Sequence, residues 1–254
     1  MIFIISPSKD LDFKNPSPLI SNDYSRLWNK SLDLLKVMKS KKPKDLKKLM
    51  SISDKLAEEN VLRYQKMGDE CNMENSKPAI YAFNGDVYIG LKALNFDQSE
   101  IDYCQKNLRI LSGFYGLLRP LDLIQPYRLE MGIALKVNKA KNIYQFWGLD
   151  ITKLLIQDIE YGESKYLINL ASKEYFKSIL CDSIQIPIID IHFREMRNGK
   201  LIFVSYNAKK ARGLMVHFAA KNKVKNLEEL CIFNLENYSF DPKLSNSKEL
   251  FFVR

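Results

Sequence analysis

Residues Ile2-Phe3-Ile4-Ile5 are apolar one after another instead of alternating with polar ones. A strand of that kind must be covered on both faces, so residues 2–6 belong inside a sheet flanked by helices. The remaining sequence supplies both element types in irregular alternation. Helical spacing or capping signals mark residues 23–40, 46–50, 54–66, 99–107, 144–159, 172–180, 207–222 and 226–233. Strand-like runs fall at residues 79–83, from Arg109 onward, and at 129–137, 166–170, 183–193, 201–206 and 249–253, with Asn198-Gly199 as a hairpin turn. This pattern predicts an α+β or mixed α/β class, with a mixed sheet flanked by helices. No internal repeat or low-complexity linker divides the chain, so one compact domain over residues 1–254 is expected.

Hydrophobic residues make up 46% of the chain and charged ones 27%, which is enough apolar content for a sizeable core and argues against disorder. Cys71, Cys104, Cys181 and Cys231 are far apart and form no CxxC pair, and only His192 and His217 carry imidazole. Neither a disulfide framework nor a metal site is expected, and no cofactor motif such as Walker A or GxGxxG is present. The apolar start is five residues long and is followed by Pro7, unlike a signal peptide, and no run reaches membrane-spanning length. A soluble, cytoplasmic protein with reduced thiols is the expectation, with no membrane association and no obligate protein partner.

The formal net charge is +9, which favours a polyanionic partner, although a lysine-rich composition alone can produce such a value. The segment with most to say about that partner is Leu46-Lys47-Lys48-Leu49-Met50-Ser51-Ile52-Ser53-Asp54-Lys55-Leu56-Ala57. Its spacing is that of a helix-hairpin-helix, a module that grips a nucleic-acid backbone, within residues 44–67. The usual Gly-apolar-Gly turn is replaced by Ser51-Ile52-Ser53. In such a module the N–H groups and dipole of the second helix face a phosphate, with Lys47, Lys48 and Lys55 close by. Leu46, Leu49, Ile52, Leu56 and Ala57 are expected to pack the two helices together. Serine adopts positive φ less readily than glycine, and an ordinary helix pair with Ser53 as N-cap is the plain alternative.

Further cations stand where strands give way to helices. Lys209, Lys210 and Arg212 open the helix at 207–222, whose buried face is read as Ala211, Leu214, Met215 and Phe218. Cations in a first helical turn oppose the helix dipole by about 0.3–1 kcal/mol each, which suits an anion arriving at that end. Lys173 follows Ser172, a candidate N-cap after a strand. Lys9, in Ser6-Pro7-Ser8-Lys9, stands at the carboxyl end of the first strand, a common ligand position. A Ser–Lys nucleophile pair there is conceivable. Arg119 and Arg128 lie beside turn and aromatic residues and suit phosphate, though Arg128 and Glu130 equally form an internal ion pair.

Several segments together carry a family resemblance. They are Ser6-Pro7-Ser8-Lys9, Ile52-Ser53-Asp54-Lys55-Leu56-Ala57, Phe83-Asn84-Gly85-Asp86-Val87-Tyr88, Leu117-Leu118-Arg119-Pro120-Leu121-Asp122, Gln125-Pro126-Tyr127-Arg128-Leu129-Glu130-Met131-Gly132, Tyr144-Gln145-Phe146-Trp147-Gly148, Asn169-Leu170-Ala171-Ser172 and Ala208-Lys209-Lys210-Ala211-Arg212-Gly213. In this order, nearly from end to end, the chain resembles the YaaA-like family of peroxide stress proteins. The resemblance implies a cytoplasmic bacterial protein that protects DNA and is linked to limiting free intracellular iron. It also implies a double-stranded DNA binder with a helix-hairpin-helix and a positively charged cleft, on an unusual mixed α/β fold.

The expected function is therefore DNA binding in the peroxide stress response, to duplex or structured DNA through its phosphate backbone. Ser51, Ile52 and Ser53 would present backbone to phosphate, and Lys9, Lys55, Arg119, Arg128, Lys173, Lys209, Lys210 and Arg212 would line the cleft. The alternative is an enzyme for a small phosphorylated or nucleotide-like substrate, with Lys9, Ser172 and Lys173 converging in a strand-end pocket; no catalytic residue is assigned. Direct iron binding is a third, weaker reading, with two histidines and scattered cysteines against it.

Overall fold

Ile2–Ile5 forms strand β1, and all four side chains are buried, as consecutive apolar residues require. In the computed structural model, which describes residues 1–254, nine further strands follow in chain order. They are β2 (Lys77–Pro78), β3 (Leu108–Ser112), β4 (Gly116–Leu118), β5 (Leu123–Ile124), β6 (Leu167–Asn169), β7 (Ile188–Arg197), β8 (Lys200–Ile202), β9 (Ser239–Phe240) and β10 (Glu249–Val253). Eight of the ten build one sheet in the order β4-β3-β1-β6-β7-β10-β9, with β8 paired to β7. The five inner strands β3, β1, β6, β7 and β10 run parallel, and β4, β8 and β9 add on antiparallel. The fold is thus α+β with a mixed sheet. The strands β2 and β5 pair separately.

The register sets Ile4 against Arg109 of β3 on one side and Asn169 of β6 on the other. From β1 the next strand of this sheet in sequence lies to one side, whereas β6 leads to β7 on the other. The loops leaving β1 and β6 therefore diverge and leave a crevice beyond their carboxyl ends, the usual ligand position in open sheets of this kind.

Helices deviate from the sequence reading where backbone groups find other partners. The helix expected over residues 23–40 is Trp28–Lys39, because Asp23 and Tyr24 are engaged with Leu123 of the small sheet. Residues 79–83 are not a strand: Ala79–Ala82 is a helical turn whose first N–H groups reach the carbonyls of Asp122 and Pro120. Residues 129–137 contain no strand either. Arg128 O accepts from Tyr64 Oη, and the Gly132 N–H donates to the Glu174 carboxylate, so the segment follows side chains instead of a ladder. The helix expected over 144–159 divides into Ile143–Trp147 and Asp150–Tyr161 at Gly148, where φ is +52°. The Asn198-Gly199 turn is present, with positive φ at both residues, as the two-residue hairpin needs.

Two features hold the layers in place. The first is the crossing of the short Asp86–Leu91 helix against the Ser205–Asn222 helix. A Cβ on Gly213 would sit 1.7 Å from the Val87 carbonyl oxygen, and one on Gly90 would sit 2.0 Å from that of Lys210. Both contacts are with backbone, so neither can yield by rotating a side chain. The second is a buried ion cluster. Asp158 accepts both terminal nitrogens of Arg26, at 2.6 and 2.8 Å, and Nε of Arg109 at 2.6 Å. Burial alone would raise the Asp158 carboxyl, but the two guanidinium groups outweigh it and hold its pKa below the ordinary range. No helix is long and apolar enough to cross a membrane.

Gly213→Ala is expected to lose about 3 kcal/mol or more in urea unfolding, because the backbone crossing must open; a loss no larger than at an exposed helix position contradicts the crossing. Asp158→Asn strands two guanidinium groups and is expected to cost about 3–5 kcal/mol at neutral pH. Since the folded-state pKa of Asp158 is lowered, its contribution is present above the unfolded carboxylate pKa of about 4 and fades as pH falls below it. The stability gap between wild type and Asp158→Asn should therefore narrow on acidification; a gap that widens refutes the assignment.

Candidate functional site

The crevice at the carboxyl ends of β1 and β6 is a cavity of about 380 Å³. Its walls come from Ser6–Asp10 after β1, Gly85–Tyr88 at the start of the short helix, Ser172, Glu174 and Tyr175 after β6, and Lys209 and Arg212 on the long helix. The loops are tied together at the base. The Ser172 N–H donates to Ser6 Oγ at 2.9 Å, and Tyr88 Oη donates to Ser6 O at 3.2 Å. Ser8 Oγ donates to Asn84 O at 3.0 Å and accepts from the Asp10 N–H at 3.1 Å. A Cβ at Gly85 would lie 2.4 Å from Ser8 Oγ, so any side chain there would displace Ser8 from this loop contact.

The charges are mostly matched. Lys9 Nζ is 3.2 Å from Glu130, which Arg128 also contacts at 3.2 Å. Lys209 Nζ faces Asp86 at 3.8 Å. Arg212 has no carboxylate partner; its burial, and then the nearby Arg194, lower its pKa from the ordinary arginine value. Burial also raises the phenols of Tyr88 and Tyr175, so both remain protonated donors at neutral pH.

The structure thus brings Lys9, Ser172, Lys209 and Arg212 to one cavity, with Arg128 behind Lys9. The other expected cleft residues are not part of it. Arg119 serves an internal ion pair, 2.8 Å from the fully buried Asp122 and 3.7 Å from Asp23. Lys210 turns to Glu236. Lys173 is exposed and outside the cavity walls. Asp10, Asp86 and Tyr88 belong to the walls and were missed in the sequence. The available signal was Asn84-Gly85-Asp86, a turn leading straight into a helix start with an acid in its first turn.

The Ser51–Ser53 turn is a separate place on the molecule. Helices Pro43–Met50 and Asp54–Lys66 are joined by Ser51, Ile52 and Ser53 alone. Ser51 adopts the left-handed conformation, φ +52° and ψ +51°, despite lacking glycine's freedom. Ile52 is buried with Leu46, Met50 and Ala57, whereas Leu56 is exposed and does not join the packing expected of it. The N–H groups of Ser51 and Ile52 are both used by Lys47 O, so neither is free for a ligand. Ser53 caps the second helix through Leu56 N at 3.3 Å. The donors still open are those of the first turn of that helix. Lys47 pairs with Asp54 at 2.8 Å; Lys48 and Lys55 are exposed and unpaired.

These features define a mixed-sheet α+β protein with a polar cavity at the sheet's switch point and a basic helix pair outside it. Residues 1–244 match the family described as peroxide stress protein YaaA, and the chain belongs to that family. It is 44% identical over 254 residues to a UPF0246 protein of Aliivibrio fischeri, covering 100% of this chain and 98% of the relative. Identity is 45% to a UPF0246 protein of a Marinomonas species and 42% to one of Hahella chejuensis, again over the whole chain and 97% and 99% of those proteins.

The hydrogen bonds of Ser8 and the pairing of Lys9 with Glu130 leave no activated Ser–Lys nucleophile. Incubation with a fluorophosphonate, read by mass spectrometry, should leave Ser8 unmodified; stoichiometric labelling of Ser8 would restore the nucleophile.

Proposed function

We propose that this peroxide stress protein binds double-stranded or structured DNA through the phosphate backbone, using the turn between the two helices at 43–66. The observation that carries this reading is Ser51. A non-glycine residue in the left-handed region costs about 1–2 kcal/mol. The chain accepts that cost to close a three-residue turn between two helices, as the helix-hairpin-helix reading requires, and Ile52 is buried beneath it. The turn exposes the positive end of a 13-residue helix, with unpaired Lys48 and Lys55 beside it. The net charge of +9 supports the same partner. Backbone contacts of this kind position a protein without specifying sequence, so weak sequence preference is expected.

Protection of DNA then follows from occupancy of the duplex. No three His, Cys, Asp or Glu side chains are grouped as metal ligands would be. In this proposal a link to free iron runs through what the protein binds, with no metal site of its own.

The test is the salt dependence of duplex binding, read by fluorescence anisotropy. Each phosphate contact contributes about 0.9 to the slope of log K against log salt. Replacing Lys48 and Lys55 with Gln is expected to weaken binding and lower the slope by about 1.8. An unchanged affinity and slope in a folded double variant would remove the turn from the interface.

A further inference from the structure

One cation of the strand-end cavity has no carboxylate partner. Of its three cations, Lys9 is held by Glu130 and Lys209 faces Asp86, whereas Arg212 has no carboxylate within ion-pair reach. Arg194 lies close enough to add to the positive potential, held between the rings of Phe203 and Phe251 at 5.2 and 5.9 Å. A part-buried guanidinium that faces a cavity without a carboxylate partner is stabilised when an anion joins it. The neighbouring hydroxyls are neutral and do not fill that role; Ser8 and Tyr88 donate to backbone carbonyls, and Ser6 Oγ accepts from the Ser172 N–H.

The acids on the walls narrow the ligand further. Asp10, on the loop after β1, and Asp86, at the start of the short helix, are both cavity walls, and Asp86 is only loosely matched by Lys209 at 3.8 Å. A cavity with a lone guanidinium and free carboxylate oxygens suits a molecule carrying both an anion and hydroxyl donors. The volume of about 380 Å³ lies in the range of small-ligand pockets. Its position, where the loops after β1 and β6 diverge, is where open sheets hold such ligands, with acids on ribose hydroxyls as a recurring arrangement.

We propose that this cavity binds a sugar phosphate, with the phosphate on Arg212 and Lys209 and the sugar hydroxyls donating to Asp10 and Asp86. Arginine supplies the two parallel N–H donors that a phosphate accepts. The same chemistry can arrive as a free mononucleotide or as an unpaired nucleotide of a DNA strand. The site does not depend on the helix-pair turn, and its first test contains no DNA.

The experiment is calorimetric titration of the full chain with ribose 5-phosphate, inorganic phosphate and ribose, for wild type, Arg212→Gln and Lys209→Gln. Saturable 1:1 binding of ribose 5-phosphate, tighter than phosphate alone and absent for ribose, is expected. Arg212→Gln should weaken it by at least about tenfold, or 1.4 kcal/mol. Lys209→Gln, at an exposed side chain that folding does not need, should weaken it by a smaller factor and covers the case in which Arg212→Gln does not fold. A second arm compares 5′-dAMP with duplexes that do or do not carry one unpaired nucleotide. Loss in Arg212→Gln confined to dAMP assigns the free nucleotide, and loss confined to the unpaired duplex assigns the DNA-borne one. No saturable binding of ribose 5-phosphate to wild type, or equal affinity in wild type and every folded variant, overturns the proposal.

Discussion

The backbone contact between the Asp86–Leu91 and Ser205–Asn222 helices is the constraint on which the strand-end cavity depends. Gly90 and Gly213 let two helices meet with carbonyl oxygens where a Cβ would otherwise be. Because the crossing is set by main chain, it fixes Asp86 on one helix against Lys209 and Arg212 on the other with little freedom to drift. The opposing wall is fixed differently, by hydrogen bonds among the Ser6–Asp10 loop, Asn84 and Ser172. The sheet supplies the frame, since β1 and β6 are neighbours whose exits diverge. A rigid frame with three independent anchors is what a preorganised binding site requires.

Electrostatics divide the basic residues into two populations. Arg26 and Arg109 on Asp158, Arg119 on Asp122 and Arg128 on Glu130 hold the interior together and are not available to a partner. Lys48 and Lys55 near the helix-pair turn, and Arg212 in the cavity, carry no such partner. Net charge alone cannot separate these populations; the separation comes from which cations have a carboxylate within reach. The two proposals rest on these free cations and share phosphate as the recognition element, at a nucleic-acid backbone outside and at a smaller group within.

Much of the architecture was legible in the sequence. The consecutive apolar residues 2–5 announced a strand covered on both faces, and the helix at 54–66 and the strand at 249–253 fall where they were read. The helix pair was legible through its leucine spacing and Ser53 cap. What failed was non-local. Residues 79–83 and 129–137 have strand-like content, but their backbone groups bond to turns and side chains far along the chain, as at Asp122, Tyr64 and Glu174. Arg119 resembled a ligand residue because Asp122 and Asp23 are carboxylates like any others until the fold buries them against it. Lys9, Lys209 and Arg212 were identified from strand-end and helix-start positions. Asp10 and Asp86 were passed over because isolated acids near turns read as ordinary solvent-facing or dipole-matching residues. Gly213 was visible in the sequence, but its role depends on a partner helix more than a hundred residues away.

Hydrogen exchange of the protein with and without a duplex, resolved to short peptides, tests the central claim of backbone binding at the turn most directly. The open amides at the start of the second helix, residues 53–55, have no intrahelical partners and should exchange fast in the free protein. The account requires them to slow on duplex binding, with protection extending to Lys48. Saturated duplex binding that leaves residues 48–55 exchanging as in the free protein would contradict it and place the nucleic-acid surface elsewhere.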